Sequence, residues 1–265
     1  KLKIALFVPL VAVDKSNLIH ANQHNKTRWF SCAKEDFSFA LAAMHQSQDN
    51  ESAGARYTQL QMNAQAAISA MELYEAFGET EYLSRGVSFA RILMACQASA
   101  VDPSFSIPLR GYFYENETHE RIQTYYHRSY EHAPIKAFAM LYRLAPEHED
   151  AARWKNSLEL YREYVALTSR TVPYGLLPNG IYELDNTDFS TITHEGARAA
   201  GAPSLEEYNA QVRNGIRLND RFYLRVFPVA YQFRGFHATL MGRALAAMEL
   251  ARALNDREIK QVAVR

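Results

Sequence analysis

The stretch RYTQLQMNAQAAISAMELYEAFGETEYLSRGVSFARILM, residues 56–94, decides the fold. Leu60, Ala64, Ala67, Ile68 and Met71 fall at i, i+4, i+7, i+8 and i+11, one apolar stripe of a helix over about Arg56–Phe77. Gly78 supplies the stop, because a residue without a Cβ takes up the left-handed turn that closes a helix. Thr80 and Glu81 open a second helix with its own stripe, Leu83, Val87, Ala90 and Met94. A link this short makes the pair an antiparallel hairpin.

The pattern recurs downstream. Ala133, Ala137, Met140, Leu141 and Leu144 form a stripe ending at Pro146, and Trp154, Leu158, Tyr161 and Val165 form the next one. Ser204 with Glu207 reads as a capping box. Leu240, Ala244, Ala247, Met248 and Ala251 mark a long helix, and Asn255 with Glu258 reads as a second capping box for a helix running to Arg265. Tyr112–Tyr114 and Phe222–Val229 are short extended candidates, and no strand pattern competes with the helices. Ser169–Asp188 reads as the longest irregular stretch, with the turn signal Pro178-Asn179-Gly180. Helix, short turn, helix, then a longer loop predicts an all-α fold. It is either a helical solenoid or an (α/α) toroid of antiparallel hairpins, complete or partial, in a single domain over residues 1–265.

Composition narrows the function. The chain has 265 residues, 48% of them hydrophobic, with 29 basic and 29 acidic side chains. That is enough to bury a core and too apolar for disorder. Zero formal charge argues against a nucleic-acid partner, which selects a basic face. The apolar run Ile4–Val13 is too short to span a bilayer and no small-residue cleavage site follows it, so it reads as packed structure. Two cysteines, Cys32 and Cys96, cannot make a four-ligand zinc site and read as buried free thiols. No dinucleotide, Walker, zinc-protease, nucleophile-elbow or EF-hand motif is present, so no cofactor is expected.

Chemistry concentrates in four segments. The first, Arg121–His132, holds Tyr125, Tyr126, His127, Arg128, Glu131 and His132 ahead of an apolar helix. His127 and Glu131 stand four apart, on one face if helical. A Glu desolvated by aromatic rings gains a raised pKa and serves as a proton donor, and tyrosines offer flat faces to sugar rings. The plainer alternative, of equal weight, is a helix start in which Arg128 pairs with Glu131. The second segment interleaves Arg221, Arg225 and Arg234 with aromatics and reaches His237. Three guanidinium forks suit an acidic sugar, although pairing with the chain's own acids is the commoner use. The third is the loop with Tyr174, Asp185, Asn186 and Asp188. Glycosidic hydrolysis needs two carboxyl groups, and Asp185 or Asp188 would complement Glu131; such residues more often make turns. The fourth, Arg28, Trp29, Lys34, Glu35 and Asp36, sets an aromatic among charges.

A family resemblance joins these blocks. Pro108-Leu-Arg-Gly-Tyr-Phe-Tyr-Glu115, Tyr126-His-Arg-Ser-Tyr-Glu131, Pro173-Tyr-Gly-Leu-Leu-Pro178, and Phe222-Tyr-Leu-Arg-Val-Phe-Pro228 with Phe233-Arg-Gly235 follow in order. From about residue 28 onward the chain resembles bacterial proteins related to glycoside hydrolase family 9. The resemblance implies an (α/α)6 toroid whose loops at one end hold the sugar, and a place outside the cytoplasm, extracellular or periplasmic. The family's paired aspartates, of Asp-Ala-Gly-Asp type, have no counterpart here. Its proton-donating glutamate would lie beyond Arg265. The chain is therefore read as part of a longer enzyme or as one using other residues, and no catalytic position carries over.

The expectation is a glycoside hydrolase acting on a polysaccharide or oligosaccharide, with uronic acid suggested by the arginines. Glu131 is the candidate acid, Asp185 or Asp188 the base, and His127 a further catalytic candidate. Tyr126, Arg128, Tyr174, Arg221, Arg225, Arg234, His237 and Trp29 are the binders. The partner is carbohydrate, without nucleic acid, membrane or metal. A lyase or epimerase on the same fold would use His127, His132 or His237 to move the proton. A helical-repeat scaffold is the alternative of another class. It would spread polar aromatics over one face of every repeat, whereas here they gather in loops, which favours the enzyme.

Overall fold

A computed structural model describes residues 27–48, 59–120, 122, 132–172, 175, 177, 178, 180–183, 215–225 and 233–264, with backbone alone for 27–30, 43–48, 59, 182, 183, 215, 225 and 233–241. The described elements run α1 (Thr27–Gln48), α2 (Gln59–Phe77), α3 (Thr80–Ala95), α4 (His132–Leu144), α5 (Ala151–Thr171), β1 (Gly180–Glu183), β2 (Gly215–Arg217), β3 (Phe222–Arg225), α6 (Phe233–Leu254) and α7 (Arg257–Val264). Helix dominates, as expected. The Ser204–Glu207 capping box and the Ile4–Val13 run lie outside the described residues.

The α2/α3 hairpin forms as its stripes dictate. Leu60, Ala64, Ala67, Ile68 and Met71 are all buried, and Gly78 turns the chain at φ +70°. Gly86 lets the two helices close, since a Cβ there would lie 2.7 Å from Met71 Sδ. From Leu60 to Met71 almost every position of α2 is buried, the signature of a helix enclosed on all sides. The α4/α5 hairpin repeats the design around Trp154, Leu158, Tyr161 and Val165, all buried.

Side-chain pairs fix the directions. Lys136 lies 3.2 Å from Glu72, and Arg143 donates to Glu75 at 2.8 Å. Residue numbers rise together across these pairs, so α2 and α4 run parallel. His132 packs against Gly242, and the Glu249 charge acts on Arg143, which makes α6 parallel to α4. Thus α2, α4 and α6 form one row, with α3, α5 and α7 returning beside them. The short turns (78–79, 145–150 and 255–256) fall at one end. The described parts of both long connections, which leave α3 at Cys96 and α5 at Val172, fall at the other.

The outer helices share a device. Lys34 of α1 donates to Glu79, the N-cap of α3, at 2.5 Å. Arg91 of α3 donates to Asp150, the N-cap of α5, at 2.9 Å. Arg162 of α5 donates to Asp256, whose Oδ1 accepts the Ile259 N–H at 3.0 Å and so caps α7. Each outer helix thus holds the acidic start of the next.

Three expectations need correction. The cap of α7 is Asp256, one residue after Asn255. Asn255 sits at φ +52° and closes α6, where the Asp256 N–H reaches Ala251 O at 2.8 Å. Second, Ser169–Thr171 is still helix. The hydroxyls of Thr168, Ser169 and Thr171 bond back to the Tyr164, Ala166 and Leu167 carbonyls, so polar residues sit in the last turns without ending them. Third, the chain has a sheet. It is antiparallel, ordered β1-β3-β2, with Gly180 and Gly215 both opposite Arg225. Successive residues Phe222, Tyr223 and Leu224 are all buried, so no alternation marks the strand.

Candidate functional site

The two long connections are fastened into one layer. The Ser106 N–H donates to Leu218 O and its hydroxyl to Arg217 O, both at 2.7 Å. Asn219 Nδ2 donates to Ser104 Oγ at 2.9 Å. Phe105 meets Phe222 edge-on at 6.0 Å and Tyr112 face-on at 6.0 Å. Leu60 N–H donates to Glu115 O at 3.0 Å, so the first connection also satisfies the start of α2.

Of the residues expected for the hydrolase, Arg221 is the one described through its side chain; His132, expected in a lyase or epimerase, opens α4 and is half-buried. Arg221 is exposed, lies 4.9 Å over the Phe222 ring and donates to Glu120 O at 2.6 Å. Its guanidinium thus helps join the second connection to the first. Arg225 ends β3, and Arg234 and His237 occupy the first turns of α6, so their backbones share the end where the long connections gather. Trp29 does not join them. It lies on the first turn of α1, five residues before Lys34, and Lys34 rests 4.3 Å over Phe77 beside the Gly78 turn at the opposite end. Glu131, His127, Tyr126, Arg128, Tyr174, Asp185 and Asp188 lie outside the described residues.

Several polar groups at this end escaped the sequence reading. Gln61 and Asn63 are buried in the first turns of α2, Glu115 is buried in the connection above them, and Arg243 of α6 is 3% exposed. Arg243 donates to Pro178 O, and its Nη2 lies 2.5 Å from where a Cβ on Gly180 would stand. Gly180 holds φ +126°, so only glycine fits both the backbone and the space. The missed signal was polarity inside apolar stripes: Gln61 and Asn63 beside Leu60 and Ala64, and Arg243 beside Ala244 and Ala247. A buried polar side chain needs a partner and marks a constructed interior.

Aromatic faces line the same layer. Tyr112 and Tyr114 share a hydroxyl–hydroxyl hydrogen bond of 3.1 Å, and His119 stacks on Tyr114 at 4.2 Å. Burial, then the bond to Tyr114, raises the Tyr112 hydroxyl well above its ordinary value, so it stays protonated. The half-buried Tyr114 and exposed His119 present flat surface of the type sugar rings pack on. Cys32 and Cys96 are free thiols, half-buried and buried respectively. Among the described residues no three His, Cys, Asp or Glu side chains stand as a metal site, and no helix is long and apolar enough to cross a membrane.

Comparison of the chain with protein-family models, with curated proteins and with solved structures gave no match.

Proposed function

We propose that this protein is a carbohydrate-active enzyme of the α/α-toroid type, a glycoside hydrolase whose sugar binds where the long connections meet. The observation that carries the reading is the asymmetry of the two ends: short turns at one, and at the other two long connections bonded together and rich in aromatic rings. A row of parallel helices supplies a rigid frame, and loops at one end of it are free to carry chemistry. In this reading Glu131 donates the proton, Asp185 or Asp188 is the base, and His127 assists. Tyr126, Arg128, Tyr174, Arg221, Arg225, Arg234 and His237 hold the sugar. The arginines suit carboxylate-bearing units.

The test is release of reducing ends from a polysaccharide panel that includes uronic-acid polymers, with ultraviolet absorbance of unsaturated products read in parallel. Reducing ends without absorbance support hydrolysis, and Glu131→Gln then lowers kcat by about 100-fold or more. Absorbance would assign the chain to the lyases. Silence on every polymer, from folded protein, would remove the enzyme reading and leave the helical-repeat scaffold.

A further inference from the structure

The first connection carries a histidine whose ring is fixed before any ligand arrives. His119 sits at φ +59°, a left-handed backbone that side-chain-bearing residues seldom adopt. Its ring lies on Tyr114, with centroids 4.2 Å apart and planes 12° apart. Its Nε2 stands 2.7 Å from the Ala95 carbonyl oxygen at the end of α3. A carbonyl accepts and cannot donate, so Nε2 carries the proton, and Nδ1 of the neutral ring is the acceptor. Among the described residues the ring makes no further bond, and His119 is exposed. One face is spent on Tyr114 and one edge on α3, which leaves the other face and the Nδ1 edge open. Tyr114 supplies a matching donor. Tyr112 is 1% exposed, and among the described residues its hydroxyl meets that of Tyr114 alone, at 3.1 Å. A buried O–H left unpaired pays its full desolvation cost, so Tyr112 donates to Tyr114. The half-buried Tyr114 thereby keeps its own O–H to give outward.

Resting on the glycoside-hydrolase reading, we propose that Tyr114 and His119 form a sugar subsite in the first connection. One pyranose unit packs on the open face of His119, while hydroxyls of the same or the next unit meet His119 Nδ1 and the Tyr114 O–H. One donor with one acceptor suits sugar hydroxyls, which do both. A ring already clamped by Tyr114 and Ala95 loses little freedom when the sugar arrives. The platform is open and flat, so it takes a unit of a chain that runs across the surface. It holds that chain and does not touch the bond that breaks.

The experiment uses the whole chain labelled with carbon-13 histidine, and a panel of neutral and uronic-acid hexasaccharides. The Cε1–H signal of His119 is identified by its loss in His119→Asn, a variant that still suits the left-handed backbone. The hexasaccharide that is turned over should move that signal. His119→Asn should raise KM about 10-fold, with kcat changed by less than about 2-fold. Tyr114→Phe, which keeps the ring and removes the donor, should also raise KM. His119→Tyr restores a ring face without the Ala95 bond and should recover most of the loss. A His119→Tyr loss equal to that of His119→Asn assigns the residue to closing α3 and overturns the subsite. Turnover that leaves the His119 signal unmoved overturns the subsite and leaves the hydrolase reading in place. A moved signal without turnover of any polymer supports the subsite and removes the hydrolase. Absence of both removes both.

Discussion

Gly111 carries a severe steric constraint of the first connection. It holds φ +87°, and a Cβ on it would lie 1.9 Å from the Leu160 carbonyl oxygen of α5. Its N–H donates to Ala98 O at 2.7 Å, while its own carbonyl accepts from Gln97 Nε2 at 3.0 Å. Neither the helix backbone nor the bonded loop gives way cheaply. Gly111→Ala should cost more than about 2 kcal/mol, read as a lowered urea midpoint; a loss under half of that would mean the loop re-forms elsewhere. Asp150 illustrates charge at the same scale. Burial pushes its carboxyl up, but hydrogen bonds from Arg153 and Arg91 outweigh that and hold it below the usual carboxylate range. A carboxyl depressed on folding contributes stability above its unfolded pKa, about 3.9, and loses that contribution as pH falls through the lower folded value. Arg91 and Arg153 are 50% and 60% exposed, so they regain water when the carboxylate is gone. Asp150→Asn should therefore cost only about 1 kcal/mol at pH 7. Its Tm deficit should shrink as pH drops below about 4; a deficit constant from pH 7 to 3 would exclude the charge as its cause.

At the scale of elements, the acidic cap held by the previous outer helix is the repeating part. Asp256 does two jobs, accepting the Ile259 N–H and the Arg162 guanidinium. Asp256→Ala should lose about 1–2 kcal/mol. Amide exchange should accelerate in α7 and stay unchanged in α2 and α3; equal acceleration everywhere would show that α7 frays only with the whole molecule. Asn255→Gly should be neutral or slightly stabilising, because φ +52° suits glycine better. These elements also show what the sequence discloses. The hairpins are legible because a period of 3.6 is repeated over many residues, and the stripe residues Leu60, Ala64, Ala67, Ile68 and Met71 are all buried. The α7 cap was legible only to within a residue, since Asn and Asp each fit both a left-handed turn and a cap. β3 was legible merely as extended, and β1 not at all. β3, with Phe222, Tyr223 and Leu224 all buried, has no alternation to read, and β1 is only four residues long. The cap-and-cation pairs were invisible, because their partners stand 45, 59 and 94 residues apart.

For the whole molecule, inner helices joined by Lys136–Glu72 and Arg143–Glu75 and outer helices joined through their caps make neighbouring hairpins depend on one another. In the sequence the candidate site stands out as a concentration of aromatics and arginines in two connections. Its framing residues do not. Whether Asn63, Gly242 or Arg243 faces a neighbouring helix depends on how helices far apart in sequence pack, which no local spacing encodes. Cys96 offers a probe of that joint packing. It lies where α3 passes into the first connection, is fully buried, and its carbonyl accepts the Tyr114 N–H at 2.8 Å. Burial, assisted by the Glu117 charge, pushes its thiol up to about 12. Only thiolate attacks a disulfide reagent, so Cys96 is protected twice, by access and by ionisation. With an aromatic disulfide at pH 8, the half-buried Cys32 should react in the native protein, and Cys96 only on opening. If the fastened connections belong to the cooperative core, the Cys96 rate should rise with urea along the same slope as global unfolding. A urea-independent rate would mean instead that the first connection peels from the helices alone, and that the loop end is a separately opening layer on a rigid helical frame.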